Sequence, residues 1–152
     1  MTPDQTFAAL HRAADAACGA RLFTVTVLDR KAQLARRAYT SHPSEYPVTG
    51  TKPMGSNDWT AQVLERGETF VANQTAAFSP FFSDHALIND LGCEAAVNIP
   101  VPKNGVVVGT VNILDAAGHF TPARVTQLEQ LVAEAHADLH AAFETVPLEE
   151  ET

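Results

Sequence analysis

The order of apolar and polar positions along the chain predicts alternating helices and strands. At the N-terminus, Thr2, Pro3 and Gln5 match a helix cap, a first-turn proline and a capping box. Apolar residues then recur every three or four positions as far as the first glycine, where a helix can end. The segment LFTVTVLD (22–29) alternates with period two instead, which indicates a strand, and residues 33–40 are its expected hairpin partner.

The middle of the chain continues this alternation. Asp58 can cap a short helix, WTAQVLERG, which precedes a short strand at residues 69–72. One or two helical turns are expected around residues 84–90. Two strand-like runs follow, CEAAVNIPV and VVVGTVNIL, and their junction contains Asn104 and Gly105, which are typical of a tight hairpin turn.

The last predicted helix begins at Thr121, a capping residue that is followed by Pro122 at the first helical position. Its apolar residues keep a heptad spacing, and they are Val125, Leu128, Val132, Ala135, Leu139 and Ala142. This spacing admits two interpretations. The helix packs on its own sheet, as most amphipathic helices do, or the first and last helices also form a bundle with a second copy of the chain. The second interpretation predicts a homodimer.

Composition and charge restrict the classes of function. The chain has 152 residues, of which 45% are hydrophobic, so that one domain can bury a sizeable core. No apolar run approaches the roughly 20 residues of a membrane-spanning helix, and the N-terminus lacks the pattern of a secretory signal. The net charge of -8 disfavours a nucleic-acid-binding surface. We therefore expect a cytoplasmic protein that binds neither a membrane nor nucleic acid.

The segment LGCEAAVNIPVPKNGVVVGTVNIL resembles the corresponding part of GAF domains, where a strand with an apolar-proline-apolar step is followed by a short turn and a strand with a glycine midway. The order of elements over about residues 5–143 is similar as well. The resemblance implies an α+β, GAF- or PAS-like fold: a central antiparallel sheet with the N- and C-terminal helices on one face and a loop-roofed ligand pocket on the other. We expect one such domain over residues 1–145 and a disordered acidic tail over residues 146–152.

Regular alternation divides the strand residues between the two faces of the sheet. The apolar set, expected to face the helices, is Phe23, Val25, Val27, Val97, Ile99, Val107, Val111 and Ile113. The other set is mixed, and it comprises Thr24, Thr26, Asn98, Thr110 and Asn112, with Arg37 and Tyr39 from the second strand. Amides and hydroxyls suit a lined cavity better than an exposed sheet face, which usually carries Lys and Glu.

Two long connections supply the expected roof of this pocket. Residues 41–53 (SHPSEYPVTGTKP) contain three prolines, which restrict the free loop and lower the cost of ordering it, and residues 73–92 contain three phenylalanines. Alternatively, the rings only form a satellite core under the loops. The residues that we expect to bind a ligand are Arg37, Tyr39, His42, Tyr46, Lys52, Trp59, Phe82, His85, Asn98 and Asn112.

These residue types indicate a sensory domain for a small polar or anionic metabolite. Arg37 or Lys52 would pair with an anionic group, the amides would orient the ligand, and the rings would enclose its apolar part. We expect no cofactor, a homodimer formed through the terminal helices, and a signal that passes to a separate output protein, since the sequence shows no output domain. A structural dimerisation module without a ligand is a further alternative.

A thiol-dependent redox enzyme is the competing class. One branch of the GAF family, the free methionine-(R)-sulfoxide reductases, uses cysteines for catalysis, and Cys93 follows a Leu-Gly turn where a thiolate is conceivable. Those enzymes carry the catalytic cysteine in the loop before this strand and resolving cysteines in the earlier loop. Here Cys93 lies at the strand itself and residues 40–57 contain no cysteine. Burial of Cys93 as a small hydrophobe is the interpretation that we prefer.

Other chemical signals are weaker. His136 and His140 stand four residues apart on the last helix, a spacing that can chelate a metal, but both are expected in solvent without one. His85 follows Asp84, as a general base held by a carboxylate would, yet no nucleophile is tied to this pair by local sequence. The cyclic-nucleotide signature of GAF domains and the cysteine-histidine pair that attaches bilins are both missing from the sequence.

Overall fold

A six-stranded antiparallel sheet forms the centre of the fold, which is of the expected α+β class. This computed structural model describes residues 2–48 and 51–146. The strands are β1 (Leu22–Asp29), β2 (Leu34–Thr40), β3 (Thr51–Pro53), β4 (Phe70–Ala72), β5 (Ala95–Lys103) and β6 (Val106–Asp115). Their spatial order is β3-β2-β1-β6-β5-β4, so the two predicted hairpins, β1–β2 and β5–β6, meet at the centre of the sheet through β1 and β6.

Five α-helices and one π-helix surround the sheet in the described part of the chain. They are α1 (Pro3–Cys18), the π-helix (Thr60–Glu65), α2 (Thr75–Phe78), α3 (His85–Asp90), α4 (Pro122–Glu134) and α5 (His136–Glu144). The capping box of α1 is confirmed, since Thr2 Oγ1 accepts a hydrogen bond from Gln5 N at 3.2 Å and Thr2 N donates to Gln5 Oε1 at 2.9 Å. Thr121 caps α4 as predicted.

The terminal helices α1, α4 and α5 cover one face of the sheet. Their apolar residues pack on Phe23, Val25, Val27, Val97, Ile99, Val101, Val111 and Ile113 in one continuous core. The heptad residues Leu128, Val132, Leu139 and Ala142 are all buried in this core. Packing within the subunit therefore accounts for the heptad spacing, as in the first of the two interpretations.

Two β-bulges shift residues from the face that regular alternation predicts. In β2 the register jumps at Ala38, so that Tyr39 pairs with Val25 and shares its helix-covered face, whereas Arg37 pairs with Thr26 on the opposite face. In β6 the register jumps between the pairs Val101–Gly109 and Pro102–Val107. Val107 thereby joins an apolar cluster on the opposite face, and its assignment to the helix-covered set is wrong.

Local structure departs from the sequence pattern in three further places. The π-helix replaces the expected α-helical stretch and has no side-chain cap; in place of the expected cap at Asp58, Asn57 Oδ1 accepts from Thr60 N at 2.8 Å in the turn where the helix begins. The last helix divides at Ala135 (φ -92°, ψ 0°) instead of running unbroken. As a result α5 lies over the β5–β6 hairpin, where His140 Nε2 is 2.8 Å from the carbonyl oxygen of Pro102.

The expected acidic tail lies outside the described residues except for Val146, which packs against the helix-covered core. Among the helices of the described residues, none has the length and apolar character needed to cross a membrane.

Gly109 is the point of closest approach between β6, β1 and α5. A Cβ atom at this position would lie 2.5 Å from the backbone oxygen of Thr26 and 2.8 Å from Cε2 of Phe143. The Thr26 oxygen belongs to the sheet and cannot rotate away, so we expect Gly109→Ala to lower the free energy of unfolding by about 1–3 kcal/mol. Urea denaturation measures this change. Ser56→Ala at an exposed loop position is the control and should stay within about 0.5 kcal/mol of wild type; an equally small effect of Gly109→Ala would contradict the packing described.

Candidate functional site

A cavity of about 300 Å³ lies on the face of the sheet opposite the terminal helices. Its floor is the mixed set of strand residues, Thr24, Thr26, Asn98, Thr110 and Asn112. Its walls come from β2, β3, the π-helix and the long connections after β2 and β4. This volume is at the lower end of the range for ligand pockets, so the cavity suits a small metabolite.

The floor is a hydrogen-bonded chain that runs across three strands. Trp59 Nε1 donates to Asn98 Oδ1 at 3.0 Å, and Asn98 Nδ2 donates to Asn112 Oδ1 at 2.8 Å. Asn112 Nδ2 in turn donates to the hydroxyl oxygens of Thr24 and Thr26, both at 3.1 Å. Strand register explains the arrangement, because Asn98 pairs with Asn112 and Asn112 pairs with Thr24. The two amides are thus buried and satisfied.

Hydroxyl groups on this floor remain available to a ligand. Thr24 and Thr26 accept hydrogen bonds from Asn112, so their own hydroxyl protons are free to be donated into the cavity. Thr110 is 2% exposed and lines the same cavity, and its hydroxyl has no hydrogen-bond partner within residues 2–48 and 51–146. The floor can therefore donate hydrogen bonds to an acceptor on a bound molecule.

Aromatic and aliphatic side chains form the side walls. Trp59 and Phe82 meet edge to face with ring centroids 6.3 Å apart, and Phe81 lines the cavity beside them. Two small apolar clusters flank the cavity. One contains Leu22, Phe78, Ile88, Cys93 and Leu114, and the other contains Leu28, Met54, Val63, Leu64 and Val107. Phe78 is fully buried in the first cluster, so for this ring the satellite-core interpretation is confirmed.

Arg37 is fixed in the wall by three contacts. Its guanidinium lies over the Tyr46 ring at 3.7 Å from the centroid, Nη1 donates to the Pro47 oxygen at 2.8 Å, and Nη2 is 3.8 Å from Asp84 Oδ2. Arg37 thus connects β2 with both roof connections. Burial raises the pKa of Tyr46 far above its usual range; the Arg37 charge opposes this rise, and the neighbouring Asp84 carboxylate adds to it. Tyr46 is therefore a neutral phenol that can donate a hydrogen bond.

Lys52 is the second cation of the wall. It lies on the edge strand β3, opposite Ala35 of β2, and both residues line the cavity. Lys52 is exposed, and within the described ranges no carboxylate lies within 4.0 Å of its ammonium.

The structure brings most of the expected ligand-binding residues together. Those that line the cavity are Arg37, Tyr46, Lys52, Trp59, Phe82, Asn98 and Asn112. Tyr39 does not line it, because the bulge at Ala38 turns its ring toward Phe7 and Phe23 on the helix-covered face. His42 and His85 lie next to the cavity but not in its lining; His42 Nδ1 is 2.8 Å from the Ser41 hydroxyl.

Sequence reasoning missed several residues of the wall. Asp84 was considered only as a partner of His85, yet it faces the cavity beside Arg37. Met54, Thr60 and Phe81 line the cavity as well. The sequence signal for Asp84 is its place just before α3 in a connection that also supplies the aromatic wall. Nothing in the local pattern of Met54 or Thr60 indicates a cavity position.

The other candidate groups lie outside the cavity. Cys93 is fully buried, and burial raises its pKa to about 11, with Asp115 adding to the rise. At neutral pH it is a thiol, which is a poor nucleophile. The rings of His136 and His140 stack on the outside of the fold at 5.8 Å between centroids, and burial lowers the pKa of His136, with the neighbouring His140 lowering it further.

Comparison with known proteins places this geometry in context. The model of the GAF domain family matches residues 1–137. Similar solved structures include the GAF domain/HD domain protein from Geobacter sulfurreducens (TM-score 0.73, 13% identity, covering 92% of this chain and 93% of that chain). The GAF domain from an Acinetobacter phosphoenolpyruvate-protein phosphotransferase is also similar (TM-score 0.72, 12% identity, 98% and 89%). So is the GAF domain of a two-component sensor histidine kinase from Bacillus halodurans (TM-score 0.72, 13% identity, 90% and 92%). A comparison with curated proteins found no match.

The buried thiol of Cys93 gives a test of the redox alternative. In a Cys18→Ser variant, whose only remaining cysteine is Cys93, we expect a disulfide reagent such as DTNB to react at least about tenfold more slowly with folded than with urea-unfolded protein, because the thiolate is the reactive form. The rate for folded protein should still rise between pH 7 and 10, below the pKa of about 11. Stopped-flow absorbance measures both rates. A fast reaction that is independent of pH near neutrality would instead support the reductase class.

Proposed function

The chain belongs to the GAF domain family, and from this we propose that it is a sensory or regulatory domain that binds a small polar or anionic metabolite in the cavity on its sheet. The observation that carries the proposal is the cavity itself. Its floor presents hydroxyl donors, its walls present aromatic rings, and Lys52 stands at its edge without a carboxylate partner among the described residues. Convergent polar groups beside aromatic walls are typical of a site that fixes the orientation of a small molecule.

The charges of the wall support a polar ligand over an apolar one. The cavity wall contains two cations, Arg37 and Lys52, and one anion, Asp84, so that its net charge is positive by one. A neutral hydrocarbon would offer no acceptor to the hydroxyl protons of Thr26 and Thr110 on the floor, which costs free energy when water is displaced. One similar solved structure is the GAF domain of a sensor histidine kinase, and this likeness favours a sensory role for the present chain.

Regulation would follow from a ligand that prefers one arrangement of the roof. Arg37 joins β2 to the connection with Tyr46 and Pro47 and to the connection with Asp84. A ligand that competes for these contacts would favour a different roof arrangement, and only such differential affinity shifts a population. We propose that this response is passed to a separate output protein or domain.

Trp59 provides a direct test of ligand binding. It is the only tryptophan of the chain, it lines the cavity, and its indole donates to Asn98. We expect a binding member of a panel of amino acids, carboxylates, nucleotides, purines and oxyanions to change its fluorescence. The same compound should raise the midpoint temperature of unfolding. At a ligand concentration one hundred times Kd, binding should add about 2.7 kcal/mol to the free energy of unfolding.

Two variants sharpen this test. Ala35→Phe should fill the cavity from β2 and abolish both signals while the protein stays folded. Trp59→Phe should remove the fluorescence response and reduce, without abolishing, the thermal shift, because phenylalanine keeps a ring in the wall but cannot donate to Asn98. If no compound in the panel changes either signal, the sensory proposal is wrong and a structural dimerisation module is favoured.

We also propose a homodimer through the terminal helices. The heptad residues are buried within the subunit, so a second copy would pack on the outer surface of α1 and α5, where Ala13, Ala16, Ala137 and Ala141 are exposed. Light scattering at tens of micromolar should give twice the mass of one chain, and Ala13→Glu should return it to the monomer because it places a charge in the contact. A monomeric wild type would rule out the dimer.

A further inference from the structure

Three charged side chains line the cavity, Arg37, Lys52 and Asp84. They differ in how many contacts each one makes with other groups of the protein. Arg37 is held by three contacts: a ring covers one face of its guanidinium, a backbone carbonyl accepts from Nη1, and Asp84 forms a long ion pair with Nη2. Its side chain is only 17% exposed. Arg37 therefore acts as part of the wall rather than as the main anchor of a ligand.

Lys52 differs from Arg37 because its ammonium is not engaged. Lys52 on β3 pairs with Ala35 on β2, and cross-strand partners share a face of the sheet. Ala35 and Arg37 are two residues apart on β2, so Lys52 and Arg37 both lie on the cavity face. An ammonium has three donors and no fixed geometry. Among the described residues it has no carboxylate partner, and it can take an anionic group of a ligand.

Asp84 is the charge that a simple anion site would lack. Its carboxylate is 24% exposed, lines the cavity and forms a long ion pair with Arg37 Nη2 at 3.8 Å, without a hydrogen bond. It does not cap α3, since no side-chain capping bond is formed. The Tyr46 phenol beside it can donate one hydrogen bond. A carboxylate offers about four acceptor sites, so acceptor capacity toward the cavity remains.

We propose that the cavity selects a small zwitterion, with one ammonium group for Asp84, one carboxylate for Lys52 and an apolar body between or beside them. This proposal rests on the proposed function and specifies its ligand class. A simple anion would be attracted by Lys52 but repelled by Asp84, and a simple cation would be attracted by Asp84 but repelled by Lys52 and Arg37. A ligand with both charges satisfies both groups, and like-charge contacts are the usual means of rejecting the wrong ligand.

The remaining walls fit the apolar part of such a molecule. Trp59, Phe81 and Phe82 give flat apolar surfaces, and Trp59 can also face an ammonium with its ring. Thr26 and Thr110 also line the cavity, and their hydroxyls can donate to an oxygen atom of the ligand. A volume of about 300 Å³ limits the ligand to the size of an amino acid or a somewhat larger metabolite.

The experiment compares zwitterions with their single-charge analogues on the purified full chain. One series is leucine, N-acetylleucine and leucinamide; another is 6-aminohexanoate, hexanoate and hexylamine. The two series differ in the spacing of the charges, so that the separation of Lys52 and Asp84 need not be assumed. Calorimetric titration should give, in at least one series, a zwitterion that binds at least about tenfold more tightly than either analogue. Equal or tighter binding of a single-charge analogue in both series would overturn the proposal while leaving the sensory function intact.

Variants assign each charge to its partner. Lys52→Gln and Asp84→Asn should each weaken the zwitterion at least about tenfold, whereas the exposed control substitutions Lys31→Gln and Asp138→Asn should leave its Kd unchanged. Asp84→Asn should also bind hexanoate more tightly than wild type does, a gain that a misfolded variant cannot show. Unchanged zwitterion affinity in Asp84→Asn would overturn the proposal. If the full panel of the preceding section fails as well, the proposed function itself is wrong.

Discussion

A row of buried polar side chains across the middle of the sheet is the constraint on which the site depends. Thr24, Asn112 and Asn98 stand side by side on three neighbouring strands, and each amide is satisfied within the row. On both sides of this row the roof packs onto the sheet through apolar clusters. Apolar residues in the row would let those clusters merge and would close the cavity. Trp59 completes the row from the wall, and it thereby fixes the start of the π-helix over the floor.

The parts of the fold that were predictable are those specified by local sequence. Caps at Thr2 and Thr121, the turn at Asn104 and Gly105, and period-two alternation all act within a few residues, so α1, the start of α4 and both hairpins followed from the pattern. The floor of the cavity also followed, because Thr24, Asn98 and Asn112 lie in regular stretches of their strands.

What the sequence did not predict depends on contacts between distant segments. No local sequence pattern predicts the bulges at Ala38 and Val108, yet each bulge reverses the face of the residues beyond it. For this reason Tyr39 lies on the helix-covered face instead of in the cavity, and Val107 lies on the cavity face instead of under the helices. The edge strand β3 forms only because β2 offers a free edge to the last residues of the proline-rich connection. Asp84 reaches the cavity through a helix start whose position depends on the packing of Phe78 and Ile88 beneath it.

The route from the cavity to the terminal helices is short, because β6 serves both faces of the sheet. Thr110 contributes its hydroxyl to the cavity floor, and the next residue toward the hairpin, Gly109, presents bare backbone to the ring of Phe143 on α5. No side chain separates strand from helix at this point. A movement of β6 that accommodates a ligand must therefore displace Phe143 or be resisted by it, whereas a larger residue at position 109 would hold α5 away from the strand. Signalling by this route would require two stable positions of Phe143, and the contact at Gly109 is the point at which a shift of β6 would reach α5 directly.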